Sequence, residues 1–265
     1  MAVQQNVLAR FYDLLDGYAD GDPVEHLSED FEFGMMFPGT PDLPNERFAG
    51  GKEDFKRFLY GLPKRFQRSA TERRHNIELV THVDGLELMI GKGRGGRRNG
   101  TLLAAAQEDD AGKLWRYHFL MTSVGFLEGQ TSSHPLVLPR FFDLLDGITE
   151  GDPVDLLAKD FQFEMVFPGL QGPPDERVSG SKEDFRRFMQ ELHARGGHKA
   201  LPAGLRRHHV KLSTVADGVE FMLGEALNGR RNGTILAAAQ QDQDGKLRRF
   251  AVGMSSVRFP RLDRA

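Results

Sequence analysis

The chain carries one long sequence twice, and this constrains its fold more than any other feature. Gly96–Gln107 reads GRRNGTLLAAAQ and Gly229–Gln240 reads GRRNGTILAAAQ, so eleven of twelve positions agree. Leu14-Leu15-Asp16-Gly17 returns as Leu144-Leu145-Asp146-Gly147, and Phe37-Pro38-Gly39 returns as Phe167-Pro168-Gly169. Lys52-Glu53-Asp54-Phe55 returns as Lys182-Glu183-Asp184-Phe185, again 130 residues on. From Arg73-Arg74-His75, matched by Arg206-Arg207-His208, the separation is 133, which places a three-residue insertion in HARGGHKALPAG. A unit of about 130 residues is too long for a solenoid repeat of 20–50. It is long enough to bury a core of its own. The expectation is therefore two tandem domains, 1–128 and 135–265, joined by the polar stretch EGQTSSHP, which ends in proline.

Composition narrows the class. Apolar residues make up 39% of the chain, and the mean hydropathy of −0.45 fits a water-soluble protein. No apolar run of about 18 residues is present, so no membrane span is expected. The start, MAVQQNVLARFYDLLDG, lacks the basic-then-apolar pattern of a secretory signal. The absence of cysteine removes disulfides, thiolate nucleophiles and cysteine-ligated metals, and it fits a cytoplasmic protein. A net charge of −3 gives no reason to expect nucleic acid as a partner.

Within one half, Val7, Leu8, Phe11, Leu14, Leu15 and Tyr18 recur at helical spacing, which predicts a helix over about 5–18. Asp22-Pro23 opens a short helix, with a capping side chain and a proline at its first position. DFEFGMMF reads as a strand, a loop leads to ERFAG, and a second main helix starts near Lys52, with Ser181 as the cap of its copy. HNIELVTHV and LELMIG flank Asp84-Gly85, a two-residue hairpin signal, and Asn99-Gly100 gives that signal again. TLLAAAQ and KLWRYHFLM complete a four-stranded antiparallel meander. Each half is thus α+β.

These segments resemble the nuclear transport factor 2-like superfamily. DGYADGDPVEHLSEDFEF, FPG, ERFAGGKEDFKRFL, THVDGLELMIG and GKLWRYHF carry the likeness, which covers both halves nearly end to end. The resemblance implies two cone-shaped domains, each a curved antiparallel sheet wrapped on helices. It also implies a pseudo-twofold dimer within one chain, the whole chain being a monomer or a further homodimer. SnoaL-like polyketide cyclases, ketosteroid isomerase, scytalone dehydratase and limonene epoxide hydrolase share this fold, and some polyether-forming epoxide hydrolases hold two such domains. The fold hosts many chemistries, so activity must be argued from side chains. Ketosteroid isomerase keeps its acids at places that here hold Phe37 and Ala104, and in the copy Phe167 and Ala237. Limonene epoxide hydrolase keeps its acids near Leu86, Leu88 and Phe119. All these positions are apolar.

Alternation about Asp84-Gly85 puts His75, Ile77, Leu79, Thr81, Val83, Leu86, Leu88 and Ile90 on one face, taken as concave. Glu78, Val80, His82, Glu87 and Met89 then face outward, as does Glu220 in the copy. On the last strand Trp115, Tyr117, Phe119 and Met121 line the cavity, with Arg116 and His118 outward. The candidate acid–base groups are His75, Tyr117, Tyr12 and His208, since a histidine exchanges protons near neutral pH. The candidate ligand-lining residues are Phe37, Leu88, Trp115, Phe119 and Gln107, with Phe167, Phe221, Phe250 and Gln240 in the second half. Glu46-Arg47 and Glu176-Arg177 read as internal ion pairs. No histidine–carboxylate spacing suggests a metal, and no cofactor is expected. All four tyrosines and the one tryptophan fall in the first half. The expected activity is cofactor-independent cyclisation or isomerisation of a hydrophobic polyketide- or terpenoid-like molecule. A non-catalytic ligand-binding module and a polyether-type epoxide hydrolase are the alternatives.

Overall fold

A computed structural model describes residues 6–39, 46–61, 73–95, 98–126, 134–168, 176–194, 206–227 and 232–260. The inserted loop and most of the expected linker lie outside these residues. The fold is α+β with two similar halves. The first contains α1 (Val7–Asp16), β1 (Leu27–Phe37), β2 (Glu46–Gly51), α2 (Lys52–Gly61), β3 (His75–Val83), β4 (Leu86–Gly95), β5 (Arg98–Glu108) and β6 (Leu114–Thr122). The second repeats them as α3 (Leu138–Leu145), β7 (Leu157–Phe167), β8 (Glu176–Ser181), α4 (Lys182–Ala194), β9 (His208–Ala216), β10 (Val219–Leu227), β11 (Asn232–Gln241) and β12 (Leu247–Ser255). Each sheet has six strands, ordered β2-β1-β6-β5-β4-β3 and β8-β7-β12-β11-β10-β9. β1 runs parallel to β6, and β7 runs parallel to β12.

ERFAGG forms a strand beyond those expected from the sequence, and it pairs antiparallel with the end of β1. The compact units are Met1–Ser123 with Ser255–Ala265, and Val124–Met254. Of the described residues near the end of the chain, 255–260 group with the first unit.

Each unit packs its helices on one sheet face through aromatic side chains. Phe55 of α2 meets Phe33 edge-on at 5.2 Å, and Phe33 stacks on Phe31 at 5.9 Å. Phe185, Phe163 and Phe161 repeat this at 5.3 and 5.7 Å. Truncating a fully buried phenylalanine such as Phe55 to alanine costs about 3–5 kcal/mol in such cores. At the start of α4, Ser181 Oγ accepts from Asp184 N at 3.4 Å while Asp184 accepts from Ser181 N at 2.9 Å. That is the reciprocal cap expected of a serine there.

Asp84 and Gly85 turn the β3–β4 hairpin with φ of 49° and 74°, as a tight hairpin turn requires. Asn99-Gly100 is not a turn. Both residues lie inside β5, opposite Arg94 and Gly93. A Cβ on Gly100 would sit 2.6 Å from the Thr122 carbonyl oxygen, so this glycine permits close approach of β6.

The face assignment of β4 is inverted. Met89 belongs to the core under the helices, together with Ala104, Ala106, Tyr117, Phe119 and Met121. Leu86, Leu88 and Ile90 therefore face away from the helices, yet they are equally buried. With both faces buried, apolar content could not tell them apart. A bulge then restores His75 to the helix-facing side. Ile77 lies opposite Gly91 and Leu79 opposite Ile90, which leaves Glu78 as the extra residue and reverses the alternation before it. β9 and β10 shift at the matching place, leaving Lys211 extra. Glu78 pairs with Lys92 and Lys211 with Glu225, so the two copies hold the same bulge with exchanged charges.

Candidate functional site

The helix-facing side of the first sheet gathers a chain of polar groups along α1. At its C-terminal end stands Asp16, whose side chain is almost fully buried. One carboxylate oxygen accepts from the backbone amides of Arg74 and His75 at 3.0 and 2.9 Å. The other lies 2.7 Å from His75 Nδ1. A carboxylate only accepts, so Nδ1 carries the proton and donates. The other ring nitrogen, Nε2, is engaged by no described residue. The His75 ring lies 4.7 Å from the Tyr12 ring, centre to centre.

Tyr12 comes from the inner face of α1 and Tyr117 from β6. Their hydroxyls meet at 2.6 Å in the core. Burial pushes both phenols well above their ordinary range, so both stay neutral. Two hydroxyls sharing one bond retain one further proton to donate.

The second domain repeats the carboxylate–histidine pair. Asp146 accepts from Arg207 N and His208 N at 2.8 Å each and lies 2.7 Å from His208 Nδ1. Burial opposes the charge on Asp146. The hydrogen bond and charge of His208, together with the backbone amides, outweigh it and hold the carboxyl below its usual range. Phe142 takes the place of Tyr12 beside His208, at 5.0 Å, and Phe250 takes the place of Tyr117. The hydroxyl pair therefore belongs to the first domain.

Asp16 and Asp146 are the site residues missed by sequence reasoning. Their signal was present: each aspartate recurs at a separation of 130 and each histidine at 133, in step with the repeat.

Other candidates fall elsewhere. Glu87 is not outside the fold. It reaches under α1 and accepts from Val7 N and Leu8 N at 2.6 and 2.8 Å, capping a helix whose own Asn6 supplies no side-chain cap. His82 Nε2 stands 3.0 Å from the same carboxylate. An open cavity of about 520 Å³ adjoins this end of α1, lined by Asn6, Val7, His82, Leu86, Glu87 and Glu108 among others. Glu220 caps α3 through Val137 N and Leu138 N and also accepts from Ser213 Oγ at 2.9 Å. Burial drives its carboxyl up, partly countered by those bonds.

Leu88 and Phe221 lie on the sheet faces turned from the helices and line no space beneath them. Gln107 and Gln240 also fall on those faces, opposite Leu86 and Val219 respectively. Trp115 sits at the partly exposed start of β6, where its indole donates to Asp30 at 2.8 Å and Arg116 covers its ring at 4.2 Å. Phe119 and Phe250 are core residues, while Phe37 and Phe167 pack against the core rims. Arg116 and His118 face away from the helices, as alternation suggests. Arg177 pairs with Glu164 across the β7–β8 ladder, with Nε 3.1 Å from Oε1. Among the described residues, no group of three or more histidines and carboxylates could hold a metal.

No family model matches this chain, and no curated protein matches it. None of its helices is long and apolar enough to cross a membrane, among the described residues.

Proposed function

We propose that the chain is a tandem-domain cytoplasmic enzyme of small-molecule metabolism, of the SnoaL-like kind within the nuclear transport factor 2-like superfamily. It would cyclise or isomerise a hydrophobic polyketide- or terpenoid-like molecule without a cofactor, in its first domain. The observation that carries this reading is the Asp16–His75 pair: a buried carboxylate holds the ring through Nδ1 and leaves Nε2 as the nitrogen that would exchange a proton with a ligand. The Tyr12–Tyr117 pair lies next to it with one hydroxyl proton unspent. His75 takes the role of proton acceptor and donor, Asp16 positions it, and the tyrosines donate to a ligand oxygen.

A second reading is favoured by a specific observation. Phe37, Ala104, Phe119 and Leu88 are apolar where acid-using relatives of that superfamily keep carboxylates, and Tyr12 and Tyr117 are fully buried. A binding module without chemistry fits those residues. The same substitutions oppose an epoxide hydrolase, which needs an acid on the epoxide oxygen and a base on water.

Replacing His75 by alanine should lower turnover of a cyclisable hydrophobic substrate by about 10²- to 10⁴-fold, the usual size for a removed general acid or base. Replacing His208 should lower it far less. A ligand that raises thermal stability by mass action yet is never converted would establish the binding module in place of the enzyme.

A further inference from the structure

The first domain holds a carboxylate–histidine pair at each end of α1: Asp16–His75 at its end and Glu87–His82 at its start. His82, Glu87 and Ala106 stand opposite one another across β3, β4 and β5, so their side chains share the helix-facing side. Glu87 is buried there, and its carboxylate accepts from Val7 N, Leu8 N and His82 Nε2. An ionised carboxylate has about four acceptor sites, so one remains after these three bonds. The side chain of Asn6 gives α1 no cap and engages no described residue.

These groups border the open cavity of about 520 Å³, and every described residue that lines it belongs to the first unit. Its volume lies within the range of about 300–1,000 Å³ usual for small-molecule pockets. Val7, Leu86 and Ala106 supply buried apolar wall, while Glu87 and Glu108 supply two carboxyl groups. No lysine or arginine is among the described lining residues. The first amides of α1 are already taken by Glu87, so they are not left to attract an anion. Among the described residues no three histidines and carboxylates come together as metal ligands, so a bare metal ion is not the match either.

We propose that this cavity is a second ligand site, which binds a primary ammonium carried on a short apolar chain. The ammonium has three donors and no acceptor. It donates to the remaining acceptor site of Glu87 and to Asn6 Oδ1, Glu108 adds a second negative charge, and the chain lies on Val7, Leu86 and Ala106. A charge-assisted bond to a buried carboxylate is of the stronger kind. The second domain lacks these features. Leu136, Val215 and Gln241 take the places of Asn6, His82 and Glu108, and Gln241 spends its amide on the Pro135 carbonyl at 2.9 Å. The site lies at the opposite end of α1 from His75, so it stands apart from the activity proposed above.

Titration of the full chain with n-hexylammonium, followed by calorimetry and by the imidazole NMR signals, tests this. Saturable binding is expected, with a shift of the His82 signal and none of the His75 signal. Hexanoate, of equal length and opposite charge, should not bind. The double variant Asn6→Leu, Glu108→Gln carries the residues of the second domain, keeps the Glu87 cap, and should bind hexylammonium at least about tenfold more weakly. Absence of saturable binding to the wild type, a His82 signal that does not move, or hexanoate binding as tightly as hexylammonium would each overturn the proposal. So would undiminished binding by the double variant.

Discussion

Asp16→Asn separates the positioning role of the carboxylate from its structural one, and the duplicated domain supplies the control. The asparagine oxygen can still accept from Arg74 N and His75 N. Its amide nitrogen, however, must occupy the place 2.7 Å from His75 Nδ1. Two donors cannot face each other, so the ring proton moves to Nε2 and Nδ1 becomes the acceptor. A hydrogen bond to a charged group contributes about 1.5–3 kcal/mol and a neutral one about 0.5–1.5, so each bond weakens by about 1 kcal/mol. With three bonds affected, the variant should lose roughly 2–3 kcal/mol. Asp146→Asn meets the same geometry, with bonds of 2.8, 2.8 and 2.7 Å, and should lose the same amount. Urea unfolding of the two variants measures this equality. Nitrogen NMR of the imidazoles reads the tautomer without any substrate, and should report protonated Nδ1 in the wild type and protonated Nε2 in each variant. Turnover then parts them: Asp16→Asn removes the basic lone pair and should cost about 10²-fold or more, while Asp146→Asn should leave turnover close to normal. An unchanged tautomer in Asp16→Asn, or equal loss of turnover in both, would refute the assignment.

Tyr117→Phe should cost about 1–3 kcal/mol by stranding the buried Tyr12 hydroxyl. The double change to phenylalanine, the state of Phe142 and Phe250 in the second domain, should recover part of that in equilibrium unfolding. Gly100→Ala should cost about 1–3 kcal/mol, because its Cβ would meet the main-chain oxygen of Thr122 at 2.6 Å; a melting curve unchanged from wild type would contradict this close approach. His118 gives the fold an acid limit. Its folded value of about 3 lies below the ordinary 6.5, so the stability it contributes is present above 6.5 and is lost as pH falls toward 3. That loss is on the order of 4 kcal/mol. Stability measured across this range should fall more gently in His118→Leu.

What could be read from the residues, and what could not, divides along the range of the interaction. Local chemistry was legible: the Asp84-Gly85 turn, the Ser181 cap and the helical spacing of Leu8 and Phe11 each depend on neighbours in sequence. The duplication was legible because it needs only comparison of the chain with itself. The strand ERFAGG was not, since Glu46–Gly51 has mostly exposed or half-exposed side chains and is defined by its ladder with β1. The faces of β4 were misread because Leu88 and Met89 are both fully buried. Period-two alternation identifies the core only where the opposite face meets water. His75 nevertheless came out on the helix-facing side because two errors cancelled: the inverted phase at Asp84-Gly85 and the unforeseen bulge at Glu78. The Asp16–His75 pair spans 59 residues and arises because the end of α1 meets the start of β3. One copy of this sequence gives no hint of that meeting. The second copy gives one, because aspartate and histidine both survive the duplication while Tyr12 and Tyr117 give way to phenylalanine. The pair that holds α1 to the sheet is thus common to both domains. The hydroxyls that would set one domain's chemistry apart belong to the first alone.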